Sequence, residues 1–216
     1  MPRLFPKWSD TLFRLALVGG VLTAAAMVVG PMIYMRTPYN ENRNFPVDQP
    51  VQFDHRHHVR DDGIDCRYCH DGVERSPYAG VPSTEVCMGC HNQVWPKSVM
   101  LEPVRRSYFS GEPLEWNRVH RVPDFVYFNH SVHIKVGVGC VTCHGRVDQM
   151  ALDFQVAPLT MGWCLGCHRD PASRLRPPDQ VTSMTWKPTP AWRAQAKKVA
   201  AGLDRKLLTS CTACHR

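Results

Sequence analysis

Every cysteine of the chain belongs to one of five Cys-x-x-Cys-His motifs. The thiols are Cys66, Cys69, Cys87, Cys90, Cys140, Cys143, Cys164, Cys167, Cys211 and Cys214, and the histidines that close the motifs are His70, His91, His144, His168 and His215. This motif is the attachment pattern of c-type haem, in which the thiols form thioethers with the porphyrin and the histidine becomes the proximal iron ligand. The sequence therefore predicts five covalently bound haems c and a role in electron transfer.

Other uses of paired cysteines account for the pattern less well. A zinc site needs four ligands and does not require a histidine directly after the second cysteine of every pair. A redox dithiol also uses Cys-x-x-Cys, and disulfides need neither the fixed spacing nor the histidine. Because the whole motif recurs five times with no cysteine left over, haem attachment is the favoured interpretation.

The composition indicates how such a chain folds. The 216 residues include 18 Pro and 14 Gly, and long periodic apolar stretches are scarce after residue 36. Five haems leave little room for a conventional side-chain core, so we expect the haems themselves to form it. The predicted fold is mainly α with extensive loops, a multihaem cytochrome c domain wrapped around five haems, plus one N-terminal transmembrane helix.

The formal net charge of +7 does not require a nucleic-acid partner. Each haem brings negatively charged propionates, which we expect to pair with basic side chains near the motifs. The candidates for this pairing, each of which could equally belong to a solvated basic face, are Arg56, Arg60, Arg67, Arg146 and Arg169. We therefore expect no nucleic-acid function.

Leu15 to Met35 form an uncharged run of 21 residues between Arg14 and Arg36. A helix of this length spans about 30 Å, the thickness of the hydrocarbon core of a bilayer. A cleavable signal peptide and a buried soluble helix are the alternatives to an uncleaved signal-anchor. The basic residues that precede the run, Arg3, Lys7 and Arg14, favour a cytoplasmic N-terminus.

These observations give the expected domain organisation. Residues 1–14 are predicted to be cytoplasmic, 15–35 to span the inner (cytoplasmic) membrane once, and 36–216 to form the periplasmic pentahaem domain. Two-haem repeat units are expected at about 53–91 and 128–168, with the fifth haem at 211–215. Within the haem domain we expect a bridging segment at 92–127, an extended linker at 170–190 and a soluble helix from Ala191 to Leu208.

The repeat is carried by a Phe-x-His-x-x-His segment that precedes each pair of motifs. Phe53 and Phe128 begin the two segments, and their histidines are His55, His58, His130 and His133. Histidines three apart share one face of a helix, so they cannot bind opposite sides of one iron but can reach two different irons. We expect these four to be distal ligands and each phenylalanine to pack either against a porphyrin or in an ordinary core.

One distal ligand remains to be found for five six-coordinate irons. We favour His120 in VHRVPDF, with Met161 and Met150 as rivals and an open site as the last alternative. A thioether ligand would raise the haem potential relative to a second histidine. His57 falls between the two ligand positions of its segment and is expected to lie at the surface or to contact a propionate.

The paired motifs behind Phe-x-His-x-x-His resemble multihaem cytochromes of the class III type. The likeness is closest over WNRVHRVPDFVYFNHSVHIKVGVGCVTCHG (116–145) and PLTMGWCLGCHR (158–169). With five motifs and one N-terminal apolar helix, the chain resembles the pentahaem cytochrome c subunit of alternative complex III, a quinol:electron-acceptor oxidoreductase.

That resemblance implies a set of partners and a non-catalytic role. They are a multi-spanning quinol-oxidising membrane subunit, an iron–sulfur subunit and other cytochrome c subunits. The chain would relay electrons to a periplasmic cytochrome or a terminal oxidase without catalysis of its own. The alternatives are a membrane-anchored multihaem quinol dehydrogenase that feeds a periplasmic reductase, and a multihaem reductase with one open haem.

Overall fold

The computed structural model describes residues 5–215 in two units. Residues 1–4, which include Arg3 of the predicted cytoplasmic segment, and Arg216 lie outside the described part of the chain. The first unit runs as far as Arg43, and the second unit begins at Asn44. All five motifs lie in the second unit.

The first unit is built on helix α1, Lys7–Tyr34. The helix starts eight residues before the uncharged run because residues 7–14 contain no helix breaker, and Arg14 and Asp10 form an i,i+4 ion pair of 3.0 Å. None of its described residues is buried. Among the helices of residues 5–215, α1 is the one that is long and apolar enough to cross a membrane.

The second unit consists of short helical pieces joined by irregular chain. Residues 5–215 contain no extended strand. In the second unit, an isolated antiparallel bridge joins Val138 to Leu175. Its elements are a π-helix, Arg56–Asp61, the α-helices α2 (Cys66–Cys69), α3 (Thr84–His91), α4 (Glu102–Ser110), α5 (His130–Val136), α6 (Val141–His144), α7 (Met161–Arg169), α8 (Pro190–Ala201), α9 (Arg205–Leu208) and α10 (Cys211–Cys214), and the 3-10 turns Val99–Leu101, Val147–Gln149, Pro171–Arg174 and Pro178–Gln180.

Two small apolar clusters hold these pieces together. The first joins α3 to α4 and contains Val51, Met88 and Val104. The second packs α8 against the chain around Leu175 and contains Val138, Leu175, Ala196 and Ala200. Neither cluster is large, which agrees with a unit whose interior is completed by something other than side chains.

Two expectations for the C-terminal third are wrong in detail. The predicted linker at 170–190 forms two 3-10 turns and buries Leu175 and Val181. The predicted helix from Ala191 to Leu208 is divided in two at Gly202. Glycine is a poor helix former, and the Asp204 carboxylate accepts hydrogen bonds from the Lys206 and Leu207 amides, which caps the start of α9.

Gly137 allows the histidine-bearing helix α5 to approach the rest of the unit closely. Its φ of 96° lies in the left-handed region, and a Cβ there would collide with the carbonyl oxygen of Arg176. The Arg176 amide donates to the Gly137 carbonyl at 2.8 Å. The backbone contact that places α5 therefore requires glycine at this position.

Candidate haem-binding site

The five motifs, called the first to fifth sites in chain order, all place their cysteines on short helical turns. The turns are α2, α3, α6 with its N-cap Cys140, α7 and α10. Cysteines three apart on a helix lie on one face, with the histidine following at the end of the turn. None of the ten cysteines forms a disulfide. The local structure therefore presents two thiols and one imidazole together at each site.

The proximal histidines are oriented by main-chain carbonyls. The Nδ1–H of His70 donates to Gly80 O at 2.7 Å, that of His91 to Val94 O at 3.0 Å, and that of His168 to Leu208 O at 2.7 Å. His215 donates to Phe125 O at 3.2 Å. A proton held on Nδ1 leaves the Nε2 lone pair for a metal, which is the usual arrangement of an iron- or zinc-bound histidine.

The four histidines of the Phe-x-His-x-x-His segments are held in the same way. Their Nδ1 partners are Asp54 O for His58 at 3.0 Å, Asn129 O for His133 at 2.7 Å, Pro77 O for His130 at 2.8 Å and Asp153 Oδ1 for His55 at 2.9 Å. Eight of the ten predicted histidine ligands, four proximal and four distal, thus have Nδ1 engaged and Nε2 available. This pattern fits haem iron as the group they would hold.

Each segment phenylalanine lies between the two histidines of its own segment. Phe53 stacks on His58 with ring centres 4.4 Å apart and meets His55 edge-on at 4.7 Å. Phe128 stacks on His133 at 4.5 Å and meets His130 edge-on at 4.7 Å. The phenylalanine therefore sets the angle between the two imidazoles, a role that neither sequence-based alternative included.

Two proximal–distal pairs have the separation that one shared iron requires. The ring centres of His58 and His91 are 6.1 Å apart, and those of His133 and His168 are also 6.1 Å apart. Two imidazoles on opposite sides of a metal have ring centres roughly 6 Å apart, since each metal–nitrogen bond is about 2 Å and each nitrogen lies about 1 Å from its ring centre. The second and fourth sites thus each have a histidine suited to the distal position.

The remaining candidates gather around the first and third sites. His120 packs on the His144 ring at 4.3 Å, and His130 lies 6.4 Å from it, which is close to the separation that one shared iron requires. Burial, with nearby His120 and His130, lowers the pKa of His144 to about 3. Burial also lowers the pKa of His70 and of His120. These imidazoles are therefore neutral at physiological pH, the form that binds metal.

His120 carries an orphaned polar atom. Its Nε2 is buried and has no hydrogen-bond partner among residues 5–215. A buried polar atom without a partner is costly, so the position suits a ligand of a group that the protein binds. At 4.3 Å the His120 ring is too close to that of His144 for one iron to lie between them, and its placement as a distal ligand stays a prediction.

The fifth site stands apart from this cluster. The His215 ring lies 5.6 Å from that of Phe125, and the Tyr127 amide donates to Cys214 O at 2.8 Å. In the described residues, His215 has no ring contact with another histidine. Of the two methionine rivals, Met161 is exposed at the start of α7, whereas Met150 is buried.

His57 differs from the predicted ligands. Its side chain is about half exposed, stacks on Trp95 with ring centres 6.3 Å apart, and lies 3.8 Å from carboxylate oxygens of Asp61 and Asp62. None of these contacts fixes Nδ1 on a carbonyl. The structure thus separates His57 from its neighbours His55 and His58.

The sites do not follow one another in chain order. The neighbouring Cys140 thiol is the main cause that raises the pKa of Cys66, so the first site adjoins the third. Burial, and after it the nearby Cys69, raise the pKa of Cys87, which makes the first and second sites neighbours. These contacts run from the second site through the first to the third.

The same kind of contact continues to the other end. Burial, followed by Cys167 and Cys164, raises the pKa of Cys143 to about 11, so the third site adjoins the fourth. Burial and then Cys214 raise the pKa of Cys164, so the fourth adjoins the fifth. The neighbours therefore run second, first, third, fourth, fifth.

Four of the five arginines that the sequence suggested as propionate partners are paired with protein carboxylates. The pairs are Arg56–Asp54, Arg60–Asp61, Arg67 with Asp65 and Glu74, and Arg146–Asp148. The spacing of the arginines in the sequence did not reveal these ion pairs, because an arginine beside a motif can pair with a protein carboxylate as well as with a haem propionate. Nor did any spacing indicate Asp153, which lies 98 positions from its partner His55.

No protein-family model matches the chain. It is similar to the multiheme cytochrome c subunit of a menaquinone reductase from Nitratidesulfovibrio vulgaris strain Hildenborough, with 29% identity over 177 residues that cover 78% of this chain and 77% of that protein. The similarity and the motifs support the multihaem cytochrome class, covalently bound haem c and electron transport as its role. Helix α1 fits a transmembrane segment.

Proposed function

We propose that this chain is the electron-transfer subunit of a quinone-linked membrane complex. It would receive electrons from a quinol-oxidising partner and pass them to a periplasmic cytochrome or a terminal oxidase, as the resemblance to alternative complex III implies. The observation that carries the proposal is the set of five motifs surrounded by histidines whose Nδ1 atoms are fixed and whose Nε2 atoms are available. Bound haem supplies reversible one-electron chemistry at each site.

The residues of the chain hold and orient the haems rather than transform a substrate. The cysteines would anchor each haem at two points, and the hydrogen-bonded imidazoles would fix its axial ligands without reorganisation. Burial keeps His70 and His144, the proximal ligands of the first and third sites, neutral and restricts water. Rigid ligands of this kind suit electron transfer, because the site changes little between oxidation states.

Quinol oxidation is assigned to a partner. One apolar helix of 28 residues offers no bundle in which a quinone pocket could form, since such pockets are concave and lined from several sides. We therefore propose a multi-spanning quinol-oxidising subunit, together with an iron–sulfur subunit and other cytochrome c subunits. The helix would hold the haem domain at the inner membrane on the periplasmic side.

The name of the relative favours a second candidate direction. That protein is a subunit of a menaquinone reductase, so electrons in a related complex would run from a periplasmic donor to menaquinone. The order of attachment sites serves both directions equally. Rapid reduction of the haems by quinol would support the first direction. Rapid oxidation of pre-reduced haems by quinone would support the second.

A comparison of the complex with the isolated subunit tests the proposal. Quinol added to the detergent-solubilised complex should reduce the haems within the turnover time, whereas the purified subunit alone should stay oxidised until a soluble reductant is added. Rapid reduction of the isolated subunit by quinol would instead support the self-sufficient quinol dehydrogenase. Carbon monoxide or cyanide binding at one haem, with nitrite or sulfur-oxyanion turnover, would support the reductase.

The order second, first, third, fourth, fifth gives a further test of the proposed path. Cys87→Ala with Cys90→Ala removes the second site, which is an end in this order but an interior position in chain order. If electrons enter at the fifth site, the four remaining haems of the variant should all be reduced rapidly. If they enter at the second site, none should be. Rapid reduction of one haem or of three would show that the path follows chain order.

A further inference from the structure

His55 is the one Nδ1-bonded ligand candidate whose partner carries a charge. The other seven donate to main-chain carbonyls, but His55 donates to a carboxylate oxygen of Asp153 at 2.9 Å. Both side chains are about one-fifth exposed. Its counterpart in the second repeat, His130, donates to the neutral carbonyl of Pro77 at 2.8 Å. The two repeats therefore differ at one contact behind otherwise equivalent ligands.

The chain holds Asp153 firmly in this position. Its carbonyl accepts a hydrogen bond from the Val47 amide at 3.1 Å, and two residues later the buried Gln155 accepts from the Asn44 and Arg121 amides. Within residues 5–215, the only ion-pair partner of Asp153 is His55. No arginine or lysine of the described chain forms an ion pair with this carboxylate. Its hydrogen bond is to His55, and its charge also acts on His70 and His120 nearby.

A carboxylate is a stronger acceptor than a carbonyl, and it draws the Nδ1 proton away from the ring. The imidazole then gains anionic character and becomes a stronger donor at Nε2. A stronger donor stabilises ferric over ferrous iron, which lowers the reduction potential of that haem relative to one whose histidine donates to a carbonyl.

We propose that Asp153 is a positioning residue that lowers the potential of the haem bound by His55 and so makes the two repeats electrically unequal. The inference rests on haem attachment in the proposed function, but it holds for either direction of electron flow. Its consequence is an energetic step within the set of haems near the first and third sites, since burial lowers the pKa of His70 and of His144 and the nearby His55 adds to both shifts.

Asp153→Asn in the full chain tests this, because asparagine keeps the shape and an acceptor oxygen but loses the charge. The potential of one haem in a spectroelectrochemical titration should rise, and the g values of one low-spin ferric component should change with it. Asp62→Asn removes the same charge from an exposed carboxylate near His57 and is the matched control. It should leave all g values as they are.

Each outcome bears on the proposal. Unchanged potentials and g values in Asp153→Asn at full haem content would overturn it. A rise spread over several haems with unchanged g values would show an effect of charge alone and would also overturn the hydrogen-bond argument. If Asp153→Asn fails to take up haem, Asp153→Glu replaces it as the test. This variant retains the carboxylate and should keep the wild-type g values. A g component absent from the wild-type protein would contradict the proposal. A wild type without covalent haem would refute the proposed function itself.

Discussion

The two Phe-x-His-x-x-His segments repeat their ligand geometry more closely than their backbone. In both, the phenylalanine stacks on the second histidine, meets the first one edge-on, and the second Nδ1–H returns to the carbonyl four residues before it. Yet residues 56–61 form a π-helix, whereas 130–136 form an α-helix. A local hydrogen-bond pattern can thus be preserved while the surrounding turns diverge.

The residues between the ligands show where the two segments differ. Asp54 accepts from the Arg56 amide and pairs with its guanidinium, whereas Asn129 accepts from the Ser131 amide and hydroxyl. Both side chains cap the start of the turn, but only one is charged. The comparison teaches that contacts within each segment fix the second imidazole, whereas the first imidazole is held by a distant partner, and that the capping side chain is charged in the first segment alone.

The largest expected effect comes from removing the second histidine of either segment. His58→Ala and His133→Ala should each convert about one-fifth of the low-spin ferric haem to a high-spin form that binds carbon monoxide, because the second or fourth site loses its distal imidazole. Electron paramagnetic resonance and carbon monoxide difference spectra measure this. Equal losses in both variants would establish the equivalence of the segments.

His57→Ala is the control for these variants. This histidine lies beside His58 but has neither the fixed Nδ1 nor the ligand separation, so the five haem spectra should not change. A high-spin signal from His57→Ala, or an unchanged spectrum from His58→Ala, would show that the ligand of the second site has been misassigned.

The next variants test whether His120 or Met161 is the remaining distal ligand. If His120 binds an iron through its buried Nε2, His120→Ala should create one high-spin haem, and Met161→Ala should leave the spectrum unchanged. If Met161 is the ligand instead, its loss should lower the potential of one haem or open it to carbon monoxide. If neither variant has an effect, the remaining iron is either bound by the buried Met150 or open in the native chain.

Phe53→Leu and Phe128→Leu should each have a smaller and similar effect. Each substitution removes one stacked and one edge-on contact with imidazole rings, which we expect to reduce the free energy of unfolding by about 1–2 kcal/mol. Denaturant unfolding of the holoprotein measures the change. A loss in one variant more than twice that in the other would contradict the structural equivalence of the two phenylalanines.

The smallest predicted difference depends on pH. The Arg56 guanidinium, as a hydrogen-bond donor, lowers the pKa of Asp54 from 3.8 to about 2. A lowered pKa means that this stabilisation is complete above pH 3.8 and is lost as pH falls towards 2. The side chain is about one-third exposed, so solvent screening limits the contribution to less than about 1 kcal/mol.

Asn129 has no corresponding titration, so the effect belongs to the first segment. Between pH 5 and 2.5, Asp54→Asn should lose less stability than the wild type, whereas Asn129→Ala should follow the wild-type slope after a uniform loss of about 1 kcal/mol. Urea midpoints measured across this interval provide the comparison. Parallel curves for wild type and Asp54→Asn would contradict the role of the ion pair.

The local part of the candidate site could be predicted from the sequence because it depends on short spacings. Cys-x-x-Cys-His and Phe-x-His-x-x-His are local patterns, and the structure gives each the turn that brings its members together. The apolar run likewise predicted one long helix, although not its start at Lys7. These features need no knowledge of which distant segments meet.

The remaining features depend on contacts between distant parts of the chain. The partners of His168 and His55, Leu208 and Asp153, lie 40 and 98 positions away. Nothing in the local sequence marks a carbonyl or a lone aspartate as a future acceptor. The contact of Cys66 with Cys140 is equally remote, and therefore neither the order of the sites nor the asymmetry at His55 could be predicted from the sequence.

The mass of the denatured chain tests the central claim most directly. After purification from membranes, unfolding and extraction with acidified solvent, the full polypeptide should retain its colour and exceed its sequence mass by five haems, one for each Cys-x-x-Cys-His motif. A chain that loses its pigment in the solvent, or whose mass equals that of the bare polypeptide, would contradict covalent attachment at these sites and the account built on it.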